Sequence, residues 1–563
     1  MIRFLIIFLI THLIFFLSDG NQFYEINEII VESKKTIQSD PLKKTYSLDD
    51  YSNQPITDVS DVVKKIPGVS IPFDISASDN LVPYSNRGFS AFRIRGLGGN
   101  YVSLTIDGIR QPPQYQQSGG MGRTFFDPSV YESVSIRKST GSSSSQSDSV
   151  AGAINFNTFS DDFLTLDPSQ RLFGSVRTTY NSVSDSINGL FKIKDRIPNQ
   201  ETTIKSSLTF GNERENKKGS IPADPMNFAQ KHHLVGVKKR LNNKTIFFNV
   251  EHYDYRSKVD FDRIETYDGI LTDSSPKVDF SDSRNNNQRN RINIKFEEDI
   301  ESKIVKNMSL NAYYQESSSK NKTREREIQD PYFGINTGFN NAERVTEVND
   351  ILFENDLFGI HFESQNEVTL FDQKLDLKAG FFSDIEDGNN DFKRFRIFEA
   401  SELAIQNGVD SITITEQDPP NYMDPSKLYR NELYLDSDLK KKNLNLQFGI
   451  RFADYKIKPQ NNSTVLDNSL MTERPDYKNQ SLIKSASISN NLKAFKQHLS
   501  FSEGVRNPSL ENYSGYFTHG DFINIPNPNL KPEEAATVQY NVYKNFSLFD
   551  VECTIFNLSL IHI

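Results

Sequence analysis

Along residues 165 to 563 apolar and polar positions alternate with a period of two. Leu444, Leu446, Phe448, Ile450 and Phe452 fall on one side, and Asn445, Gln447, Gly449, Arg451 and Ala453 on the other. Ile292, Ile294 and Phe296 oppose Asn293 and Lys295; Leu375, Leu377, Ala379 and Phe381 oppose Asp376 and Lys378; Ile246, Phe248 and Val250 oppose Asn249 and Glu251. Successive side chains of a strand point to opposite faces, so the pattern predicts strands of about 8 to 12 residues with one apolar and one polar face. About 9 to 11 such residues cross a bilayer when the apolar face meets lipid and the polar face lines water. A soluble two-sheet sandwich alternates in the same way. The polarity of the second face, and two long charged segments read as loops (SDSRNNNQRNR at 281–291 and SSSKNKTRERE at 317–327), favour a membrane barrel.

Residues 21 to 160 carry a different, α+β pattern. EIIVES, Glu28 to Ser33, is an extended β-branched patch followed by a polar linker, Lys34 to Thr45. In Thr57 to Ile71, Val59, Val62, Val63 and Ile66 share one helical face, Thr57 or Asp58 can cap the start, and Pro67-Gly68 ends the helix. Arg93 to Pro113 reads RIRGLGGNYVSLTIDGIRQPP: a glycine-rich turn, a strand with Val102, Leu104 and Ile106 against Ser103, Thr105 and Asp107, then an Asp107-Gly108 turn. RTFFDPSVYESVSIRKS (Arg123 to Ser139), a serine-rich turn and VAGAINFNT (Val150 to Thr158) complete the unit.

The N-terminus adds an export signal. Arg3 precedes an apolar run from Phe4 to Leu17, broken at Thr11 and His12 and closed by Ser18-Asp19-Gly20. That run falls short of the roughly 20 residues of a spanning helix, so residues 1–20 are read as a signal peptide. No later run of 18 apolar residues exists. One cysteine, Cys553, rules out an intramolecular disulfide or a thiolate cluster. The net charge of −10 argues against a nucleic-acid binder. Tryptophan is absent, so an aromatic girdle must come from the 42 Phe and 23 Tyr. His232-His233 is read as loop, since no Cys or carboxylate stands at zinc-ligand spacing. No nucleophile elbow or phosphate-binding loop is present, and the chain is not read as an enzyme.

The Arg93–Pro113 block resembles the plug signature of TonB-dependent outer-membrane receptors, and the other motifs follow in that family's order. EIIVES resembles the TonB box (Glu28, Ile29, Ile30, Val31, Glu32, Ser33), which would add as a strand to the energy-transducing partner TonB, itself driven by ExbB and ExbD. DVVKKIPGVSI and SVSIRKS…VAGAINFNT resemble further plug segments, although Arg137-Lys138-Ser139 and the serines at 142–145 replace the family's Arg-Gly-Pro and Tyr-Gly turn. VRNPSLENY (Val505 to Tyr513) and NPNLKPE (Asn527 to Glu533) resemble two boxes near the end of the barrel. The resemblance implies a mainly β fold: a transmembrane antiparallel barrel, 22-stranded in the family, around an N-terminal α+β plug. The boundaries expected are 1–20 signal peptide, 21–45 TonB box and linker, 46–160 plug and 161–563 barrel. Arg93, Arg95, Gly96, Asp107, Gly108 and Arg110 are the expected structural residues of the plug, its arginines facing acidic residues of the barrel wall.

The same resemblance implies a gated importer embedded as a monomer in outer-membrane lipid, with haem or a haem-carrying protein as ligand. His519 lies between the two terminal boxes, where haem receptors of the family place an axial ligand. Residues 21–160 contain no histidine, so Tyr115 or Met121, in the segment Gln114 to Arg123, is the second candidate ligand to haem iron. A ferric siderophore or another scarce nutrient is the alternative cargo; a passive porin and a secreted β-rich adhesin are alternatives of other classes. Only about thirty residues follow Glu533, against more in a 22-stranded barrel, so the chain is expected to be C-terminally truncated.

Overall fold

The computed structural model describes residues 43–48, 62, 66–71, 92–113, 127–139, 149–159, 172–182, 185–197, 199–214, 225–260, 277–300, 302, 304–328, 342–370, 373–408, 410–417, 423–460, 475–491, 495–515, 517–519, 522–524, 527, 529–546 and 550–561. Residues 1–20, Glu28 to Ser33, Tyr115 and Met121 lie outside the described residues.

The first unit holds eight short strands: β1 (Lys43–Ser47), β2 (Val69–Ser70), β3 (Arg93–Ile94), β4 (Leu97–Gly98), β5 (Val102–Ile106), β6 (Ile109–Arg110), β7 (Ser133–Arg137) and β8 (Gly152–Asn157). One sheet runs β1-β7-β8-β5-β6 and a second β2-β3-β4. The β5 alternation does not separate an inner from an outer face: all five of its residues are buried, because polar partners cover Ser103 and Thr105. Thr105, for example, donates to Asn155 Oδ1 at 2.7 Å. Val62, Ile66, Ile94, Leu104, Ile136, Ile154 and Phe156 form the core beneath. Asp107 and Gly108, at φ +51° and +79°, make the two-residue hairpin turn joining β5 to β6. Two consecutive positive φ angles define a type I′ turn, which Asp-Gly satisfies at low cost.

The second unit is one large antiparallel sheet: β9 (Leu172–Asn181), β10 (Ser186–Ile197), β11 (Gln200–Arg214), β12 (Pro225–Leu241), β13 (Lys244–Asp260), β14 (Lys277–Asp299), β15 (Val305–Ile328), β16 (Ala342–Leu370), β17 (Gln373–Ala400), β18 (Ile412–Gln417), β19 (Ser426–Lys441), β20 (Leu444–Pro459), β21 (Tyr477–Asn491), β22 (Lys496–Arg506), β25 (Glu533–Asn545) and β26 (Asp550–Ile561). Between β22 and β25 lie a short helix and a separate hairpin, β23 (Phe517–His519) with β24 (Phe522–Asn524). The helix is α2 (Leu510–Ser514), and α1 (Glu402–Gln406) precedes β18. Each main strand pairs with its sequence neighbour, and β18 sits off the path on β17. Connections alternate in length. At one end two-residue turns such as Asn242-Asn243 and Lys442-Asn443 close the hairpins, with Asn242 and Lys442 at positive φ. At the other end the strands are joined by much longer segments, such as 261–276 and 507–532.

The register rows show what each face meets. Val250, Ile292, Tyr314, Phe358 and Ile385 stand side by side across five strands, all outward and all substantially exposed. Leu435 and Ile450, and Leu433 with Phe452 and Leu482, continue the apolar band. No helix among the described residues is long and apolar enough to cross a membrane.

Two expectations are corrected here. Residues 281–291 and 317–327 are not loops; they are the paired upper halves of β14 and β15. Their outer face lies beyond the apolar band and meets water, so both faces are polar and no alternation marks them. On the inner face Ser257, Asn285 and Asn321 bond across the strands, and outside Arg324 pairs with Asp282. His232 and His233 likewise lie mid-strand in β12, His232 buried and His233 exposed.

The sheet wraps the first unit. Laid flat, its fifteen consecutively paired strands at about 4.8 Å spacing would be roughly 70 Å wide. Yet the small first unit reaches β10 through Glu132–Lys194, β14 through Asp107–Arg291, β19 through Arg110–Glu432, β25 through Arg95–Gln539 and β26 through Lys44–Glu552. Only a sheet curled around the unit meets it on all these strands.

Candidate functional site: the plug lock and the cleft above it

The Asp107-Gly108 turn inserts into a charged socket of the wall. Asp107 Oδ1 accepts the Thr158 amide at 2.7 Å, and its Oδ2 accepts the Thr158 hydroxyl at 2.6 Å and Arg291 Nη1 at 2.8 Å. Arg291 is fully buried; it also donates to the Ile106 carbonyl at 3.1 Å and to Glu251 Oε2 at 2.6 and 3.0 Å. Glu251 accepts further from Tyr131 Oη at 2.7 Å, His232 Nε2 at 2.9 Å and Arg289. Burial, reinforced by the Glu251 charge, holds the Tyr131 phenol well above its ordinary range, so it stays a donor. Arg289 passes the chain on to Gln111 at 2.8 Å, and Gln111 to Gln315 at 3.0 Å. Removing one partner from a buried charge network strands the others in low dielectric, so its members depend on one another.

A second contact lies beside it. Arg110 donates to Glu432 at 2.8 Å and stands 3.6 Å from Asp384. Arg430 binds Asp384 and Glu386 at 2.6 Å each, and Arg451 completes the group on Glu432. A third contact holds the opposite flank: Glu132 takes Lys194 at 2.7 Å and Lys205, while Asp127 accepts Ser207. Burial pushes the Glu132 carboxyl up, but Lys205 and Lys194 outweigh it and hold it down to about 2.

The three expected arginines behave differently. Arg110 meets acids. Arg95, at φ +53° ahead of Gly96, donates instead to the neutral Gln539 at 2.6 Å and lies 4.0 Å over the Phe556 ring; burial lowers its guanidinium to about 10. Arg93 folds over Gly98, where any Cβ would collide with its side chain, and makes no ion pair among the described residues. Glu251, Arg289, Arg291, Glu132 and Lys205 were not singled out in the sequence. Their one signal was an ionisable residue on the inward-facing parity of a strand.

Above the lock, on the side of the long connections, opens a small cleft of about 70 Å³, partly continuous with solvent. Its floor is Asn100, Ser103, Leu104, Arg110 and Gln111; its walls are Glu386, Arg430, Tyr455 and Arg506; Asn507, Ser509 and Leu510 roof one side. The roof is built into the wall. Ser509 caps α2 through a reciprocal bond with Asn512, Tyr455 donates to the Pro508 carbonyl and Tyr513 to the Pro475 carbonyl, both at 2.7 Å. Arg506 and Glu533, directly opposed at the ends of β22 and β25, bind bidentately at 2.6 Å and close the base of the connection. That connection carries the β23–β24 hairpin, in which His519 ends β23 and pairs with Phe522. Among the described residues no three His, Cys, Asp or Glu side chains form a metal-binding group.

A sheet with an outward apolar band, curled around a small α+β unit locked to its inner wall, defines a plugged transmembrane barrel. The chain belongs to the TonB-dependent receptor family: a family model described as TonB-dependent Receptor Plug Domain matches residues 39–153, and one described as TonB dependent receptor-like, beta-barrel matches residues 236–560. These are receptors and transporters of the outer membrane that work with TonB, not enzymes. No curated protein matches the chain. Among solved structures it is similar to the Serratia marcescens hemophore receptor HasR, in a complex with its hemophore HasA and heme, at 14% identity and TM-score 0.66 over 92% of this chain and 73% of that one. It is also similar to the copper transporter OprC (11%, TM-score 0.64, 92% and 71%) and to the FrpB iron transporter from Neisseria meningitidis (14%, TM-score 0.63, 92% and 73%). At these identities the likeness concerns the fold.

Proposed function

We propose that this receptor imports haem, free or drawn from a haem-carrying protein, and that traction by TonB on residues 28–33 unseats the plug to let it pass. The observation that carries the reading is the placement of His519 in the β22–β25 connection, whose first residues roof the cleft over the plug. Imidazole is a usual axial ligand of haem iron, and the hemophore receptor HasR shares the fold. Uptake is energised from the inner membrane; the chain itself makes and breaks no covalent bond.

The test is a haem titration of the purified receptor followed by absorbance. Saturable binding with a shifted haem spectrum is expected for the native chain, and loss of that spectrum for His519→Ala. Unchanged affinity and spectrum in the variant would remove His519 from the site. Deleting residues 28–33 should abolish uptake while leaving binding intact; uptake that persists identifies a passive pore. A second reading rests on the cleft itself. Arg110, Arg430 and Arg506, each paired with a carboxylate, line it beside Glu386, Asn100 and Asn507, a polar lining that suits a ferric chelate needing no histidine. Binding of such a chelate, with no haem binding, decides for it.

A further inference from the structure

Four lysines gather on the outward face of β19, β20 and β21. Lys427 stands directly opposite Lys458, and Lys456 directly opposite Lys478. Directly opposed residues have Cβ atoms about 4.5–5.5 Å apart, and like charges placed so destabilise a sheet. The local carboxylates answer half of this charge: Lys427 pairs with Asp387 at 3.2 Å and Lys456 with Asp476 at 2.9 Å. Lys458 and Lys478 make no ion pair among the described residues; both are exposed, and Lys458 lies 5.3 Å over the Tyr429 ring.

The layers beneath say what this cluster faces. Leu433, Phe452 and Leu482 form the uppermost outward apolar row on these strands. The next row is polar, with Ser383 bonded to Asn431 at 2.8 Å and Gln480 to Asp454 at 2.9 Å. Tyr429, Lys456 and Lys478 come next, then Lys427 and Lys458. Four residues separate Leu433 from Tyr429, about 13 Å along a strand and roughly 10 Å along the membrane normal at the usual barrel tilt. Lys456 and Lys478 therefore sit at headgroup depth, and Lys427 and Lys458 about 5 Å further out along the normal, all on the long-connection side, which in such barrels is the outer one.

We propose that this quartet is a binding site for phosphate groups on lipid headgroups of the outer leaflet, an anion bridging each opposed lysine pair. The occupant follows from three features: like charge only half compensated, a position just past the apolar band, and an aromatic ring at the level of the lower lysine pair to seat against the lipid. A partner of this kind neutralises the cross-strand repulsion without any further protein.

The experiment uses the full chain, purified in neutral detergent and examined by native mass spectrometry with three probes: a diphosphorylated glycolipid, the same glycolipid without phosphate, and inorganic phosphate. The native chain should retain the phosphorylated lipid in preference to the phosphate-free one. The variant K427Q/K456Q/K458Q/K478Q should bind it at least about tenfold more weakly, and the corresponding all-arginine variant should bind it as the native chain does. Heat-modifiable gel mobility checks that each variant keeps its barrel. Undiminished lipid binding by a folded glutamine variant overturns the proposal, as does equal retention of the phosphate-free glycolipid. Displacement by inorganic phosphate at concentrations matching the lipid's own would assign the site to free anions instead. Should the glutamine variant fail to fold, the comparison of lipids on the native and all-arginine chains still decides the matter.

Discussion

Asp107 and Arg291 are 184 residues apart in sequence, and their side chains meet at 2.8 Å. One belongs to a two-residue turn of the plug and the other to the wall, so this contact ties the plug to the barrel. It also makes a conformational demand, since Asp107 holds positive φ while presenting both carboxylate oxygens.

The conformational and electrostatic roles of Asp107 are separable. Asp107→Asn keeps a residue suited to positive φ but removes the charge beside Arg291; Asp107→Val loses both. We expect about 3–5 kcal/mol less plug stability for the loss of a buried partner, with the valine variant lower still. Protease sensitivity of the plug and chemical denaturation measure the order; equal stability of the native and asparagine proteins would refute it.

Acid should release the opposite flank. The Glu132 carboxyl is held at about 2 against an ordinary 4.5. A depressed carboxylate contributes stability above its unfolded value and loses it as pH falls through the folded one. Plug protection should therefore be flat from pH 7 to about 5 and decline from about 4.5 towards 2, by an amount on the order of 2–3 kcal/mol. Glu132→Gln should be weaker at neutral pH and lack this decline. Hydrogen exchange in β7 across that range is the measurement.

Two glycines are seats for rings. Gly359 stands opposite Tyr313 and Gly380 opposite Tyr434, and a Cβ at either position would collide with the facing ring. Gly380→Ala should cost about 1–3 kcal/mol by overpacking. Combining it with Tyr434→Leu should recover most of that. Heat-modifiable mobility on gels reports the outcome, and a fully stable Gly380→Ala barrel would contradict it.

The Arg506–Glu533 pair predicts a local effect. Both side chains are mostly buried and bonded twice, so Glu533→Gln should lower stability by about 1–3 kcal/mol. The connection between them should become more open to proteolysis at 507–532, and ligand affinity should fall with it. A variant with unchanged proteolysis would show that α2 and its tyrosine bonds hold the connection alone.

What the sequence made legible was whatever is encoded locally. Asp107-Gly108 announces its turn because two adjacent residues determine it, and Phe448-Gly449-Ile450 announces its strand because lipid and lumen demand alternate chemistry. The upper halves of β14 and β15 were misread because water meets one face and a polar interior the other, which erases the period. His232 was misplaced for a related reason: its partner Glu251 lies on the next strand and its ring neighbours Tyr131 and Tyr253 stand at widely separate positions. The lock could not be assembled from one sequence, since Asp107, Glu251 and Arg291 acquire roles only when the sheet closes on the plug.

The length of β16 bears on what can be captured. From Phe358 at the top of its apolar band to Ala342 the strand runs some 16 residues as paired sheet, roughly 40 Å above the bilayer at the usual tilt. Only β14 to β17 run this far, and the main strands on either side are much shorter, so the paired sheet walls one flank of the entrance. A ligand would approach Arg110 and the plug along this one-sided wall, so contacts made on β14 to β17 precede those made in the cleft.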